Sequence, residues 1–243
     1  MAGTAVPGRL TWRVATVAER RMETPTALTL VLKVPGWPGH LAGQHVDVRL
    51  TAEDGYSTQR SYSLAAPADG ELVELTVQRV DDGEVSPYLT EILRVGDPIE
   101  LRGPVGGWFV WRATSERPVL LLAGGSGVVP LMAMIRARRQ AGSSAPFRLL
   151  YSVRSPDQVL YAKELEGEEA TLLYTRAVPA GEARPAGRLS VGDLPGDGWG
   201  PEAAPDCFVC GPTGFVEFAA DLLVDVGHDP ARIKTERFGP TGG

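Results

Sequence analysis

The sequence predicts a two-domain protein, in which an antiparallel β-barrel is followed by an α/β domain built on a parallel sheet. In the first part of the 243-residue chain, apolar and polar residues alternate over short stretches that are separated by turn signals. This pattern is typical of antiparallel strands with one buried face. In the second part, compact apolar strands alternate with helix-like stretches, which is typical of a parallel sheet covered on both faces. The spacing pattern of the apolar residues changes at residues 112–117, and we predict domains spanning residues 1–113 and 114–243.

Three alternating stretches predict strands in the first domain, at residues 28–34, 46–50 and 73–77. The turn signals PGWPG, AEDG, PADG and DDG lie between the strands of this half. One short helix is predicted over residues 86–93, with Ser86 as its cap and Pro87 at the first helical position. Many short strands with a single helix favour a closed barrel.

The second domain opens with the strand VLLLAG, and FRLLYSV, ATLLYT and DCFVC repeat the strand signal. Leu131, Met134 and Ile135 follow the first strand at helical spacing. Further helix-like stretches lie near residues 158–165 and 212–226. The alternation predicts strand–helix–strand units.

Composition excludes several classes of function. A formal net charge of −6 argues against a general affinity for nucleic acid or for anionic membranes. Two cysteines are too few for a disulfide framework or a four-thiolate iron–sulfur site. The longest uncharged run, residues 119–135, is interrupted by glycines and Pro130, so no membrane span is predicted. The N-terminal residues do not resemble a signal peptide, and a cytoplasmic location is the expectation.

The segment LLLAGGSGVVP predicts a strand, a glycine loop and a helix. Such a turn lies at the carboxyl edge of a parallel sheet, where ligands bind. Small residues there allow a pyrophosphate to approach the backbone, and the N–H groups at the helix start can bind its oxygens. The third glycine of G-x-G-x-x-G is absent, so the Rossmann fingerprint does not apply, and a merely tight turn remains the alternative. The loop residues are Gly124, Gly125, Ser126 and Gly127.

The segment DCFVCGPTGF predicts a second strand-to-helix turn near the C-terminus. Cys207 and Cys210 are three residues apart on a strand, so they point to opposite faces and are not expected to form a disulfide or bind a metal. Cys210 precedes Gly211 and Pro212 at the carboxyl edge of the sheet, whereas Cys207 is expected in the core.

Taken in order, these motifs resemble the ferredoxin–NADP reductase superfamily over residues 10–238. RSYS matches its R-x-Y-S motif at Arg60, Tyr62 and Ser63, and GEVS matches its G-x-x-S motif at residues 83–86. GDPIELRGPVGGWF, AGGSGVVP, CGP and TERF follow in the order of the family's further motifs. The resemblance implies an FAD-dependent NAD(P)H oxidoreductase whose barrel binds FAD and whose second domain binds the nicotinamide nucleotide.

On the FAD side, the resemblance implies that Arg60 binds the pyrophosphate, for which a guanidinium is well suited. Backbone N–H groups of Gly83, Glu84, Val85 and Ser86 would complete that site. Tyr62 would pack against the flavin, and Ser63 would offer its hydroxyl near the reactive flavin nitrogen. Strict alternation sends Ser63 to the face opposite Tyr62, so either the strand ends or bends there or this contact is absent. The alternatives are a surface ion pair for Arg60, a barrel residue for Tyr62, a strand-end hydroxyl for Ser63 and a helix cap for Ser86.

On the nicotinamide side, the resemblance implies that the two glycine-containing turns, including Gly211 and Pro212, bind NAD(P). Cys210 would lie beside the nicotinamide, and Glu236 would close the same cleft. Phe238 would approach the flavin face that the nicotinamide must occupy, although here GPTGG continues beyond it. Simple packing remains the alternative for Phe238, and a surface carboxylate the alternative for Glu236.

Arginines near the ends of the second and third strands of this domain favour NADPH, with NADH still possible. Arg154 follows one strand, and Arg176 lies where the family's phosphate-binding arginine falls. No acidic residue ends FRLLYSV to select a free ribose hydroxyl. Arg184 and Arg188 follow in the same loop, and solvated loop arginines are the alternative for the whole set.

The electron acceptor is expected to be a separate protein, since the chain has neither the cysteines nor the length for a fused iron–sulfur domain. A ferredoxin, a flavodoxin, an oxygenase component or a molybdenum or haem partner would serve. The basic cluster Arg136, Arg138 and Arg139 is either a contact for an acidic partner or a solvated helix face. The alternative functions are a regulatory module that binds flavin or nucleotide in a larger complex, and a reductase of free flavin, iron chelates or oxygen.

Overall fold

The computed structural model describes residues 10–165, 169–196 and 198–238 and contains two sheets. The first sheet is antiparallel, with the strand order β4-β3-β6-β1-β2-β5. Its outer strands meet where Leu64 bridges Leu75 and the N–H of Ala65 donates to the carbonyl of Glu74 at 2.8 Å, which closes the barrel. The predicted barrel is thereby confirmed. Its strands are β1 (Trp12–Thr24), β2 (Ala27–Lys33), β3 (His45–Thr51), β4 (Ser57–Ser63), β5 (Leu72–Gln78) and β6 (Pro98–Val105).

The alternating stretches form the barrel core, as predicted. Val46 and Val48 of β3 are completely buried, and Leu50 packs against the same core from the strand's more exposed end. Burying this apolar face stabilises the barrel by about 25 cal/mol for each Å² removed from water. The other predicted positions are all fully or almost fully buried: Leu28, Leu30, Leu32, Val34, Val73, Leu75 and Val77.

The short helix of the barrel begins earlier than predicted. Helix α1 (Val85–Pro87) is one turn that continues into a π-helical turn (Tyr88–Ile92). Ser86 lies inside α1 and does not cap it; its hydroxyl oxygen accepts the N–H of Val80 at 3.0 Å. Pro87 is the third helical residue rather than the first, which is tolerated because N–H groups of the first turn have no intrahelical partner. The capping prediction is therefore wrong, because the preceding turn uses the Ser86 oxygen.

The second sheet is entirely parallel, with the strand order β11-β10-β7-β8-β9. The predicted helices at the two glycine-containing turns are present as α2 (Val128–Gln140) and α3 (Thr213–Asp225), and a 3-10 turn, Gly125–Gly127, leads into α2. The predicted α/β domain is confirmed. Its strands are β7 (Val119–Gly124), β8 (Phe147–Val153), β9 (Ala170–Tyr174), β10 (Asp206–Pro212) and β11 (Ile233–Phe238).

The helix predicted near residues 158–165 is absent. Two 3-10 turns, Pro156–Gln158 and Ala162–Glu164, flank a buried stretch in which Tyr161 has a left-handed backbone with φ of 58°. A left-handed residue ends a right-handed helix, and Val159, Leu160 and Tyr161 are buried consecutively rather than at helical spacing. Among the residues described, no helix combines the length and the apolar character needed to cross a membrane.

The core of the second domain lies on both faces of its sheet, and one part extends into the barrel. Cys207 packs on one face and Cys210 on the other, as the strand geometry predicts, and neither is in a disulfide. The Cys210 side also buries Ala42 and Ala65 of the barrel, together with Trp111 from the connecting segment. The two domains therefore share one apolar core, which fixes the edge of the barrel beside the carboxyl edge of the parallel sheet.

Candidate functional site

Strand β4 carries the first group of candidate residues on both of its faces. Antiparallel pairing places Arg60 opposite Val48 and Ser63 opposite His45. Arg60 and Tyr62 share one half-buried face, whereas Ser63 is buried on the other. The strand keeps its alternation until it ends at Ser63, and the side chains at its two faces therefore border different surroundings.

The guanidinium of Arg60 has only local partners. Its Nη1 donates to the carbonyl of Gln59 at 2.7 Å and to the hydroxyl of Thr58 at 3.3 Å. Within the described ranges, no carboxylate lies at ion-pair distance from it. A guanidinium has five N–H donors, so most of its capacity stays available for an anion.

Tyr62 presents an apolar ring beside this cation. The ring packs against the barrel core, and burial raises the pKa of the phenol, with the nearby charge of Arg60 acting in the opposite direction. The hydroxyl is therefore protonated throughout the physiological range. The side chain combines a flat apolar body with a polar tip, which suits contact with an aromatic ligand.

Ser63 has a buried hydroxyl without a partner. Its side chain is 6% exposed, and its Oγ makes no hydrogen bond to the described residues. Leaving a buried hydroxyl unpaired costs about 1–3 kcal/mol, so such groups in native proteins call for a ligand or water partner.

The segment of Gly83, Glu84, Val85 and Ser86 is partly engaged with itself. The N–H of Gly83 donates to the carbonyl of Val80 at 2.9 Å, and the Val80 N–H donates to the hydroxyl oxygen of Ser86. The carboxylate of Glu84 accepts the hydroxyl of Tyr56 at 3.2 Å, and Val85 is buried. The Ser86 hydroxyl keeps its own proton to donate, whereas the Gly83 N–H is already used.

The two glycine-containing turns of the second domain pack directly on each other. A Cβ at Gly127 would lie 2.1 Å from the carbonyl oxygen of Cys210, and a Cβ at Gly124 would lie 2.7 Å from the ring of Phe215. Gly125 differs, because its φ of +53° favours glycine and open space lies over its Cα. Protein atoms thus occupy the space above Gly124 and Gly127, while Gly125 and the adjacent Ser126 border the side from which a ligand can approach.

Cys210 and Glu236 are neighbours on adjacent parallel strands. Cys210 is fully buried, and burial, followed by the charge of Glu236, raises the pKa of its thiol well above the usual range. Burial also raises the pKa of the Glu236 carboxyl to about 7. The Oε2 atom of Glu236 is buried and has no hydrogen-bond partner among the described residues. This carboxyl can therefore change its protonation state near neutral pH.

His45 joins the two groups and was not among the residues selected from the sequence. It lies opposite Ser63, and its Nδ1 is 3.8 Å from Oε1 of Glu236 in the other domain. Burial lowers the pKa of its imidazole, and the charge of Asp47 partly opposes this effect. The turn AEDG is a sequence signal that could have located it, because a hairpin centred on Asp54 pairs residue 45 with residue 63.

Phe238 packs against the core, and Arg184 is bonded within its own loop. The ring of Phe238 is half-buried against the core shared by both domains, and GPTGG lies outside the described residues. Arg184 pairs with Asp193 and donates to three backbone carbonyls, so it holds its own loop together.

The remaining arginines divide into two groups. Arg154 and Arg176 are exposed at the carboxyl ends of β8 and β9, where the Arg176 N–H donates to the Arg154 carbonyl at 3.0 Å. The basic cluster on α2 is instead engaged internally. Arg136 pairs with Glu164, whereas Arg138 and Arg139 both pair with Glu169.

The residues present fit FAD. An arginine without an acidic partner suits the pyrophosphate, and a flat half-buried tyrosine suits an aromatic ring. Within the part of the chain that the structure describes, the buried Ser63 hydroxyl and the Glu236 carboxyl oxygen have no hydrogen-bond partner, and a polar ligand would supply one. Of these features, Ser63, through its strand partner His45, and Glu236 lie where the barrel meets the parallel sheet.

Residues 15–110 match the family model of the oxidoreductase FAD-binding domain, and residues 121–221 match that of the oxidoreductase NAD-binding domain. The NADH oxidoreductase HCR of Escherichia coli (strain K12) is 34% identical over 231 residues, covering 93% of this chain and 68% of that protein. The ferredoxin–NAD(P)(+) reductase component of naphthalene 1,2-dioxygenase/salicylate 5-hydroxylase systems from Ralstonia sp. is 32% identical, covering 82% of this chain and 61% of that protein.

Among solved structures, the FAD/NAD-binding domain of nitric oxide dioxygenase from Vibrio cholerae O1 biovar El Tor superposes with a TM-score of 0.81. The two chains are 27% identical, and the match covers 94% of this chain and 99% of that one. Both domains, their order and their motifs therefore agree with one family. The chain belongs to the ferredoxin–NADP reductase superfamily.

Proposed function

We propose that this chain is an FAD-dependent NAD(P)H oxidoreductase that passes electrons to a separate carrier protein. The observation that carries the proposal is that two buried polar groups without a hydrogen-bond partner among the described residues lie where the two domains meet. The buried Ser63 hydroxyl belongs to the barrel, the buried Glu236 carboxyl oxygen belongs to the parallel sheet, and His45 lies beside both. A site that bridges an FAD-binding domain and an NAD-binding domain is where two cofactor rings must meet for hydride transfer.

FAD, when bound, accepts a hydride from the reduced nicotinamide and releases electrons singly. The chain's own residues bind FAD and orient its flavin ring. Arg60 binds the pyrophosphate, with the segment from Gly83 to Ser86 beside it, and Tyr62 packs against the flavin. Ser63 donates its hydroxyl to a flavin heteroatom, which satisfies the otherwise unpaired group.

In the second domain, the turn of Gly125 and Ser126 and the turn of Gly211 and Pro212 bind the nicotinamide nucleotide. Cys210 and Glu236 border the ring and exclude water from it, and Phe238 limits access to the flavin face. The division between the two domains lies between residues 113 and 114, in the segment that joins the two matched regions.

The proposed function has a direct test. The purified full chain is expected to be yellow, or to become yellow on incubation with FAD, and NADPH or NADH added anaerobically should bleach it. A colourless preparation that gains no flavin from added FAD would refute FAD dependence. If flavin binds but NADPH or NADH bleaches it too slowly to support any turnover with one-electron dyes, a regulatory module would be favoured.

NADPH is the proposed reductant because Arg154 and Arg176 are both exposed and their backbones are hydrogen-bonded to each other at the carboxyl ends of β8 and β9. A 2′-phosphate there would receive charge-assisted hydrogen bonds. Arg176→Ala should lower kcat/KM for NADPH by roughly 10- to 100-fold and change that for NADH by less than about twofold.

The matched control is Arg117→Ala, which removes an exposed arginine at the opposite, amino edge of the same sheet. This variant should leave the ratio of the two kcat/KM values unchanged. Equal losses with both nucleotides in Arg176→Ala would count against phosphate recognition and leave NADH, the nucleotide named for the Escherichia coli relative, as the favoured reductant.

The acceptor is proposed to be a separate protein, because the Ralstonia relative is named as the reductase component of dioxygenase systems. A ferredoxin, a flavodoxin, an oxygenase component or a molybdenum or haem protein fits this description. The reduced chain should transfer electrons to a copurifying or co-encoded protein of this kind faster than to free flavin or iron chelates. The reverse order of rates would favour a reductase of small acceptors.

A further inference from the structure

His45 and Glu236 belong to different domains but lie against each other at the candidate site. The Nδ1 and Oε1 atoms are 3.8 Å apart, which is close enough for strong electrostatic coupling and too long for a hydrogen bond. Movement of the two domains together by about 1 Å would convert the contact into a hydrogen bond of normal length.

The imidazole is flanked by a loop of its own domain. The loop at Gly106 passes beside it, so that a Cβ at that position would lie 3.5 Å from Nδ1. Gln44 holds this loop by donating from Nε2 to the Gly106 carbonyl at 2.6 Å. His45 is thereby fixed to the barrel and can act as a rigid partner for the carboxyl of the other domain.

We propose that His45 and Glu236 form a proton-sharing pair across the domain seam, in which His45 is the positioning residue for the Glu236 carboxyl. One proton between them can reside on the carboxyl as O–H···N or on the imidazole as N–H···O, and both arrangements hold the domains together. Loss of this proton leaves a carboxylate facing a neutral ring and weakens the contact.

The surroundings favour the proton on the carboxyl. Burial lowers the pKa of His45 and raises that of Glu236 to about 7, so both groups resist charge. The nearest charged group on β3, Asp47, is already paired with Arg102 of β6 at 2.7 Å. Ser63 on β4 is the strand partner of His45, and Cys210 on β10 is the strand partner of Glu236. On β11, Lys234 is two residues before Glu236, and its Nζ lies 3.4 Å from the carbonyl oxygen of Val110.

The chain has three histidines, so their titrations can be separated by imidazole ¹H–¹⁵N NMR. The measurement uses the full chain with FAD bound and again after FAD removal. In the wild type, the His45 signal should titrate in two steps, because it responds to its own proton and to that of Glu236. In Glu236→Gln, the second step should be lost, while His40 and His228 titrate as before.

A second measurement separates positioning from simple folding. The rate of flavin reduction by NADPH in a single turnover, plotted against pH, should show an inflection near the pH at which Glu236 titrates. His45→Gln should move this inflection, while the steady-state KM for NADPH stays within about twofold of the wild-type value. His228→Gln is the matched control, because that histidine lies beside Cys207 on the other face of the sheet. It should leave the inflection in place.

A single His45 step that is identical in the wild type and in Glu236→Gln would overturn the pair. So would an inflection that stays in place in His45→Gln. The pair borders the flavin site of the proposed function, but the NMR result on FAD-free protein does not depend on that function. A chain that shows the two-step titration and binds no FAD would therefore refute the function and keep the pair.

Discussion

Two polar contacts between the domains differ in how completely their polar groups are paired. The first, the Arg136 contact, consists of Arg136, Tyr161 and Glu164 of the second domain with Ala65, Glu74 and Thr76 of the barrel. The second, the His45 contact, consists of His45 and Ser63 of the barrel with Cys210 and Glu236 of the second domain.

The Arg136 contact is densely bonded. Arg136 Nε donates to Glu164 at 2.9 Å, Nη1 donates to the carbonyl of Ala65 at 2.7 Å, and the guanidinium lies 4.6 Å from the Tyr161 ring centroid. The Tyr161 hydroxyl donates to Thr76 at 2.5 Å. At the His45 contact, by comparison, two buried oxygens have no hydrogen-bond partner among the described residues, and His45 Nδ1 lies 3.8 Å from Glu236 Oε1.

The difference separates two roles of one interface. Buried polar groups in native proteins are nearly always hydrogen-bonded, so a fully paired contact is explained by stability alone. An unpaired contact in the same interface costs stability and calls for another explanation. Under the proposed function, ligand atoms would supply the missing partners, and the His45 contact would be the functional side of the interface.

Breaking the Arg136 contact should have the largest effect on stability. Arg136→Ala removes the partner of Glu164 and of the Ala65 carbonyl, and we expect the free energy of unfolding to fall by roughly 2–4 kcal/mol. Urea unfolding of the FAD-free chain measures it. Arg139→Ala is the control, because that side chain is 41% exposed, and its loss should be below about 1 kcal/mol. Similar losses in both variants would remove the contrast between the contacts.

Arg60 tests the ligand side of the comparison. Arg60→Ala should weaken FAD binding by roughly 10- to 150-fold, equal to about 1.5–3 kcal/mol, because charge-assisted hydrogen bonds to the pyrophosphate are lost. Flavin fluorescence titration of the FAD-free protein gives the dissociation constant. Arg49→Ala is the matched control, since Arg49 is on the neighbouring strand, faces the other side of the sheet and pairs with Glu100. A variant at Arg60 that holds flavin normally would contradict the assignment.

The architecture could be predicted because it depends on local patterns. Residues of period two, such as Val46 and Val48, must face one side of a strand whatever lies around it, and the strand–helix alternation follows in the same way. The helix near residues 158–165 failed for a nonlocal reason. Tyr161 adopts a left-handed backbone, and its hydroxyl donates to Thr76 in the other domain. No local sequence pattern encodes that contact.

The site was predictable only in part for a similar reason. Arg60, Tyr62 and Ser63 stand in one motif and were selected as candidates through it, whereas His45 has no motif of its own. Its importance follows from two pairings, with Ser63 across β3 and β4 and with Glu236 across the domain seam. Ser86 illustrates the same limit, because its oxygen is taken by the N–H of Val80, six residues earlier.

The smallest effect is expected from the titration of Glu236. Burial raises its pKa to about 7 in the folded chain, against the ordinary value of 4.5 that applies to the unfolded chain. Between these values the folded state holds a proton that the unfolded state has lost, so this group's contribution to stability is present at low pH and is lost as the pH rises through 7. The free energy of unfolding of the wild type relative to Glu236→Gln should therefore fall by about 1–3 kcal/mol between pH 5 and pH 8.

Urea unfolding at several pH values measures this difference on the FAD-free chain. The comparison between variants is needed because partner-stabilised carboxylates such as Asp47 and Glu164 have lowered pKa values and change total stability in the opposite direction. Glu217→Gln, on the exposed side of α3, is the matched control for the loss of one negative charge. A wild-type-to-Glu236→Gln difference that stays constant from pH 5 to pH 8 would mean that this carboxyl is paired in solution. The His45 contact would then be as completely satisfied as the Arg136 contact, and the distinction between the two sides of the seam would fail.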